Sequence, residues 1–357
     1  MKILFSGGGT LGPVTPLLAI HEIIKRERPE IEYVWVGTKL GPERQLIEPL
    51  GIRFITISSG KFRRYLSPWN LTDMARIVIG FFQSLVLLWR ENPKLCVSAG
   101  GYISVPLHAA AWLLGIPTWV HEQDMEVGLA IRLMAPMARI VTVAIEDNTS
   151  KFSKNKTRWL GNPVRQNVLR GSKAKAITDF RLDQNLPTVF ALGGGTGSLR
   201  INQMIAEAVQ HLSGSCNIIH LIGKERQSDL VDRAIDLFPQ YRVYKFFSEE
   251  MKHAYAAADI VVARGGFGTL TELGALSKAA ILVPKGGHQE ANVDFLVKKS
   301  AALVLNDQTG TGYQLAQMIR TLLYDESLRK QLGSSIHATL PMASETAILD
   351  IVTILSE

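Results

Sequence analysis

Two glycine tetrapeptides stand where a backbone can meet a ligand: Gly7-Gly8-Gly9-Thr10 and Gly193-Gly194-Gly195-Thr196. Each follows a short apolar run and precedes a stretch of helical period. A glycine-rich turn between strand and helix lets the main chain approach a bound group and aims free N–H groups at it, an arrangement suited to a diphosphate. A third turn lies in Ala263-Arg264-Gly265-Gly266-Phe267-Gly268-Thr269-Leu270-Thr271-Glu272. Here the pattern predicts a buried strand emptying into Gly265-Gly266 and a helix starting near Thr269, with Glu272 in its first turn. That carboxylate has two readings: a bidentate acceptor for ribose hydroxyls, or a complement to the helix dipole.

Other nucleotide chemistries fit less well. Residues Gly7 to Gly12 match G-x-G-x-x-G, but the second predicted strand ends Val36-Gly37-Thr38-Lys39, without the acidic residue that would hold the ribose of NAD or FAD. Neither glycine tetrapeptide is followed by Gly-Lys-Ser/Thr, which excludes a P-loop. His and Cys are too scattered for zinc, so no metal and no tightly bound cofactor is expected.

The elements that must position these turns alternate along the chain. Short apolar runs at 3–5, 33–36, 54–57, 95–98, 118–120 and 140–143 read as buried strands separated by amphipathic helices. The pattern restarts at 188–192 and recurs at 218–222, 242–246, 260–263, 281–283 and 302–305. The expected fold class is therefore α/β, two Rossmann-like domains with parallel sheets, whose glycine turns would face one another across a cleft. Boundaries are expected at 1–165 for the first domain, 166–186 for a polar, basic linker and 187–357 for the second domain, with the last helix able to pack back on the first. A chain of 357 residues is long enough for two such cores.

Charge is distributed unevenly. The formal +7 lies entirely in residues 1–165, with 20 Lys and Arg against 13 Asp and Glu, while the remainder balances at 19 of each. A basic half suits a phosphorylated ligand, an anionic membrane or nucleic acid, and no recognised motif supports nucleic acid. Cys96 and Cys216 sit in separate apolar runs, so a reducing compartment without disulfides is expected. The start has too short an apolar segment for a signal peptide, and the run Ile77 to Trp89 falls short of the roughly 20 residues that span a bilayer. It is nevertheless apolar on nearly every side and follows Lys61-Phe62-Arg63-Arg64-Tyr65. Such a helix is either wholly buried or in contact with lipid on one side.

Taken in order, Gly100-Gly101-Tyr102-Ile103-Ser104-Val105-Pro106, His121-Glu122-Gln123, Gly161-Asn162-Pro163-Val164-Arg165, the Arg264–Glu272 segment and His288-Gln289 with Asn292 resemble the GT-B glycosyltransferases, and among them the MurG family. The resemblance covers nearly the whole chain. It implies a hexosyltransferase that moves N-acetylglucosamine (GlcNAc) from UDP-GlcNAc to the lipid-linked N-acetylmuramyl (MurNAc) pentapeptide, lipid I, forming lipid II for peptidoglycan, cell-wall growth and division. On the donor side it implies that Glu272 holds the ribose, that Phe247 offers its backbone to uracil, and that Gly268 and Thr269 face the α-phosphate. It also implies that Gln289, with His288 beside it, meets the sugar, and that Arg165 and the turn Gly194-Gly195-Thr196 serve the donor. On the acceptor side it implies Thr10, Leu11, Gly12, Tyr102, Ser104, Gln123 and Asp124. The expected location is the cytoplasmic face of the cell membrane, peripherally bound through Arg63, Arg64, Phe81, Phe82, Leu85 and Trp89. The absence of Asp-x-Asp agrees with a GT-B enzyme that works without a metal on the sugar diphosphate.

Three positions depart from the family pattern. Pro13 stands where a histidine is usual, Asp124 where an asparagine is usual, and Gly195 where a serine is usual. Proline has no side-chain proton acceptor. Asp124, or alternatively Glu122, is therefore the expected catalytic base. His121, at the end of an apolar run, reads as a packing residue. The alternatives to lipid I are another UDP-sugar or lipid acceptor such as diacylglycerol, the epimerases that share the fold, and a catalytically silent UDP-sugar-binding protein.

Overall fold

The computed structural model describes residues 1–60, 69–194, 197–223 and 229–356. These form two compact units, Met1–Arg165 with Met342–Glu357, and Gln166–Pro341. The first holds strands β1 (Lys2–Ser6), β2 (Glu32–Gly37), β3 (Arg53–Thr56), β4 (Leu95–Ser98), β5 (Thr118–Glu122), β6 (Ile140–Val143) and β7 (Thr157–Trp159). Their order in the sheet is β3-β2-β1-β4-β5-β6-β7, and all pairings are parallel. The second unit holds β8 (Thr188–Leu192), β9 (Asn217–Leu221), β10 (Tyr241–Tyr244), β11 (Ile260–Ala263), β12 (Ala279–Leu282) and β13 (Leu303–Val304), in the order β10-β9-β8-β11-β12-β13, again all parallel.

The central strands are apolar on both sides because helices cover both faces of each sheet. Ile3, Leu4 and Phe5 of β1 are fully buried, as are Val189, Phe190 and Ala191 of β8. In both sheets the first strand lies between the second and the fourth. The chain leaves the first strand toward the second and the fourth toward the fifth, in opposite directions along the sheet, so the turns after the first and fourth strands diverge and leave a crevice between them. The turn after β1 and the Gly100-Gly101 turn after β4 occupy this point in the first unit. The turn after β8 and Arg264-Gly265-Gly266 after β11 occupy it in the second.

Several elements differ from the sequence expectation. Strand β7 was not anticipated, since Thr157-Arg158-Trp159 is an edge strand with exposed side chains and no apolar run. The segment 166–186 carries helices Gln166–Leu169 and Lys173–Asp179, the latter capped by Ser172 and packed on helix Met251–Ala257. Val168 on the first of these helices, Ala176 on the second, and Phe180 and Leu182 just beyond it are buried. The final helix, Glu345–Ser356, by contrast packs back on the first unit as the sequence reading allowed: Ile348, Ile351, Val352 and Leu355 enter its core, and Glu345 pairs with Arg26.

Helix Trp69–Glu91 is longer than the apolar run that marks it, and by length and composition alone Thr72–Glu91 is long enough to cross a membrane. In this fold one face is built for protein. Asp73, Gly80, Ser84, Leu88 and Glu91 are buried, and Glu91 pairs with Lys2 and Arg53 at 2.9 Å each. The opposite face exposes Met74, Val78, Ile79, Phe82, Val86 and Trp89, the last at 79%. Phe82 and Trp89 thus lie on the outward face, whereas Phe81 and Leu85 turn inward and pack on the cluster containing Leu88, Leu107 and Ala111. Arg63 and Arg64 lie outside the described residues.

Candidate functional site

In the first unit the turns after β1, β4 and β5 are tied together. Gly9 has φ of 84°, and a Cβ there would come within 2.7 Å of the Tyr102 ring, so the turn after β1 and Tyr102 fit only with glycine. Thr10 is exposed, and Leu11 and Gly12 are half-buried. Gln123 donates its amide to the Gly12 carbonyl at 3.1 Å, joining the loop after β5 to the glycine turn. Ser104, expected on the acceptor surface, is fully buried. Its hydroxyl lies 3.0 Å from the carbonyls of both Ser6 and Gly100, so from inside the fold it fastens β1 to the turn after β4.

Glu122 ends β5 and is only 3% exposed. One carboxylate oxygen accepts the backbone N–H of Asp124 at 3.0 Å, and the other accepts that of Gly128 at 2.9 Å. Burial first, and then the Asp124 charge, push its carboxyl up to about 7, against the pull of the backbone bonds. Asp124 is half-buried, and its carbonyl accepts from the Asn148 side chain at 2.9 Å. Asn148 is fully buried inside the 3-10 helix Glu146–Lys151, where no periodicity marks it in the sequence. His121 is also fully buried. Its Nδ1 lies 2.9 Å from the Thr142 hydroxyl, and burial lowers its pKa to about 3, so it is a neutral packing group.

In the second unit Gly194 follows β8, while Gly195 and Thr196 lie outside the described residues. Ser198 caps helix Leu199–Leu212 by accepting the Ile201 N–H. It also receives a 2.6 Å hydrogen bond from Arg264, whose guanidinium reaches the Val283 carbonyl at 2.9 Å and Asp307 at 2.5 Å. Arg264 therefore braces the crevice from behind. The sequence placed it in the motif without a role.

Helix Phe267–Ala275 starts two residues before the expected Thr269. Glu272 consequently lies in the second turn, not the first, and is 7% exposed. The dipole field fades beyond the first turn, so the dipole reading loses its basis. Gly268 and Thr269 occupy the first turn and are half-buried. The Asn292 side chain donates to the Gly265 carbonyl at 3.3 Å and holds helix His288–Lys298 against the glycine turn. A Cβ on Gly265 would meet the Gln289 carbonyl at 2.8 Å. His288 is exposed and Gln289 half-buried at that helix start, with the Gln289 amide oxygen accepting the Lys285 N–H at 3.1 Å. Phe247 is buried and stacked on Phe180 at 5.1 Å, so its ring is core and only its backbone is suited to a ligand. Arg165 is half-buried at the end of the first unit's main segment.

Residues 3–143 match the glycosyltransferase family 28 N-terminal domain, and residues 188–343 match the family 28 C-terminal domain. The chain is 37% identical over 354 residues to the UDP-N-acetylglucosamine–N-acetylmuramyl-(pentapeptide) pyrophosphoryl-undecaprenol N-acetylglucosamine transferase of Shouchella clausii, covering 98% of both chains. The chain belongs to the MurG family. A second MurG-family relative, from Clostridium kluyveri, is 34% identical over 357 residues, covering 98% of this chain and 96% of its own. The crystal structure of Acinetobacter baumannii MurG superposes with a TM-score of 0.75 at 22% identity over 99% of each chain, a likeness in fold. This MurG-family chain is a glycosyltransferase of α/β architecture with a parallel sheet in each unit, as its sequence predicts.

Proposed function

We propose that this protein transfers GlcNAc from UDP-GlcNAc to the C4 hydroxyl of MurNAc in lipid I, with inversion at the anomeric carbon. The observation that carries the proposal is the match at 37% identity along 98% of both chains to a transferase named for that donor and acceptor. Local geometry supports the division of labour. The second unit holds the donor: the start of helix Phe267–Ala275 offers its first-turn N–H groups to the diphosphate, with Gly268 and Thr269 at the α-phosphate. Glu272 accepts the ribose hydroxyls, the Phe247 backbone meets uracil, and Gln289 with His288 beside it meets the sugar. The turn Gly194-Gly195-Thr196 completes the second unit's donor set, and Arg165, at the end of the first unit's main segment, is assigned to the donor on the family resemblance alone. Fixed N–H groups of this kind stabilise the charge that develops on departing UDP.

The first unit receives the acceptor through Thr10, Leu11, Gly12, Tyr102, Gln123 and Asp124. Direct displacement requires a base at the acceptor hydroxyl. Pro13 offers none, and both oxygens of Glu122 are turned onto its own loop. Asp124 is half-exposed on that loop and takes the proton, while Glu122 holds the loop in shape. The apolar face Met74, Val78, Phe82, Val86 and Trp89 rests on the cytoplasmic surface of the cell membrane, where the positive charges of Arg63 and Arg64 add attraction for anionic headgroups, so that a lipid-linked acceptor reaches the site. Peptidoglycan synthesis, and through it cell shape and division, is the process served.

The test is incubation of the purified protein with labelled UDP-GlcNAc and either a short-chain lipid I analogue or diacylglycerol. The label should enter the lipid I analogue alone. Transfer to diacylglycerol would replace this function by the related lipid glycosyltransferase, and UDP binding without transfer would make the protein a silent binder.

A further inference from the structure

Behind the glycine turn of the first unit lies a carboxylate that the sequence reading did not single out. Glu43 immediately precedes the short helix Arg44–Ile47 and is fully buried. Its Oε1 accepts the backbone N–H and the hydroxyl of Thr38, each at 2.6 Å, and its Oε2 accepts the backbone N–H of Gly9 at 3.2 Å. The Thr38 hydroxyl is also in hydrogen-bond contact with the Tyr102 hydroxyl. Gly8 passes so close that a Cβ would run into the carboxylate, and Gly9 lies directly against the Tyr102 ring. One buried group therefore fixes the main chain after β1 and, through Thr38, the tip of Tyr102. Hydrogen bonds to a group buried this deeply hold such a geometry firmly.

We infer that Glu43 is a positioning residue for the acceptor side: it holds the Gly8–Gly12 turn and Tyr102 in one relative placement without touching the acceptor. The inference rests on the proposed role of the first unit in receiving the acceptor. Glutamine at this position keeps one acceptor oxygen but turns an NH₂ group toward a neighbouring donor. The two short Thr38 bonds retain the oxygen, so the Gly9 N–H loses its partner and the turn shifts. A residue that merely closed the Thr38–Glu43 connection would affect stability and leave acceptor kinetics alone.

The experiment measures transfer from UDP-GlcNAc to a short-chain lipid I analogue by the full chain and by Glu43→Gln, Thr38→Val, Tyr102→Phe and the Glu43→Gln/Tyr102→Phe double variant. UDP calorimetry and thermal melting accompany it. Glu43→Gln should lower kcat/KM for the acceptor about 10- to 100-fold, the scale of a small misplacement near a reacting centre, while UDP affinity stays at the parent value. The double variant should lose less than the product of the single losses, because both changes break one chain of bonds. A changed melting temperature with parental acceptor kinetics, or losses that multiply independently, would overturn the inference. Should Glu43→Gln fail to fold, Thr38→Val carries the test, since it leaves Glu43 on Gly9 and severs Tyr102; its loss must likewise not multiply with that of Tyr102→Phe. Parental acceptor kinetics in Tyr102→Phe would instead overturn the acceptor role of this surface.

Discussion

The backbone N–H of Gly128 donates to Glu122 Oε2 at 2.9 Å, closing the loop 123–128 onto the end of β5. With the Asp124 N–H on the other oxygen, one carboxylate shapes the loop that presents Gln123 and Asp124.

That carboxyl is raised from 4.5 to about 7 by burial and by Asp124. The folded state therefore holds this proton more tightly than the unfolded chain, and between pH 4.5 and about 7 the group removes stability as pH rises. Below that window its contribution is complete, and above it the loss is constant. Chemical unfolding at pH 5 and pH 7.5 should show the parent losing stability relative to Glu122→Gln across the interval. A parallel pH dependence in the two proteins would mean that Glu122 is ionised throughout.

Asp124→Asn keeps the size of the side chain and removes its basicity. Turnover in single-turnover transfer should fall about 10²- to 10⁴-fold with donor binding intact. Full activity in Asp124→Asn, with collapse in Glu122→Gln, would move the base to Glu122.

Glu272 is buried in the second turn of its helix, so its loss should be felt by the nucleotide. Glu272→Ala should weaken UDP binding by roughly 1.5 to 3 kcal/mol, about 10- to 150-fold, the range for a charge-assisted bond. Calorimetry with UDP measures it, and unchanged affinity in a folded variant would remove Glu272 from the donor site.

The two faces of helix Trp69–Glu91 should separate in experiment. Phe82→Ser with Trp89→Ser should release the protein from anionic vesicles in co-sedimentation while stability holds, and reversing Arg63 and Arg64 to Glu should act in the same direction. Phe81→Ala should cost roughly 1 to 3 kcal/mol of stability, because that ring packs inward on the Leu88 and Leu107 cluster. Vesicle binding unaffected by either double variant would place the lipid contact elsewhere.

The fold was legible because a parallel sheet buried on both faces writes its strands as apolar runs. Ile3–Phe5 and Ile260–Ala263 could be read directly, whereas the polar edge strand Thr157–Trp159 could not. The glycine turns were legible as punctuation at strand ends. Glu272 was found as a residue, but its turn was misjudged, because Gly266 caps a helix that begins at Phe267 and leaves no polar side chain to signal the start. Ser104 read as a ligand group since a serine beside glycines suits either role, and its burial depends on which face of helix Ser104–Leu113 meets the sheet. Phe81 and Leu85 could not be told from Phe82 and Trp89 while the helix was apolar all round. Glu43 and Asn148 escaped notice because each is tied to a loop of the site, at Gly9 and at Asp124, 34 and 24 residues away, a separation only the folded chain closes.

Transfer of GlcNAc onto lipid I with inversion is tested most directly by the NMR structure of the product formed from UDP-GlcNAc and a short-chain lipid I analogue. A single disaccharide is expected, with GlcNAc β-linked to the C4 oxygen of MurNAc, since one displacement on the α-linked donor inverts the anomeric carbon. An α-linked product, a linkage to any other hydroxyl, or conversion of the donor to its 2-epimer without transfer would contradict it.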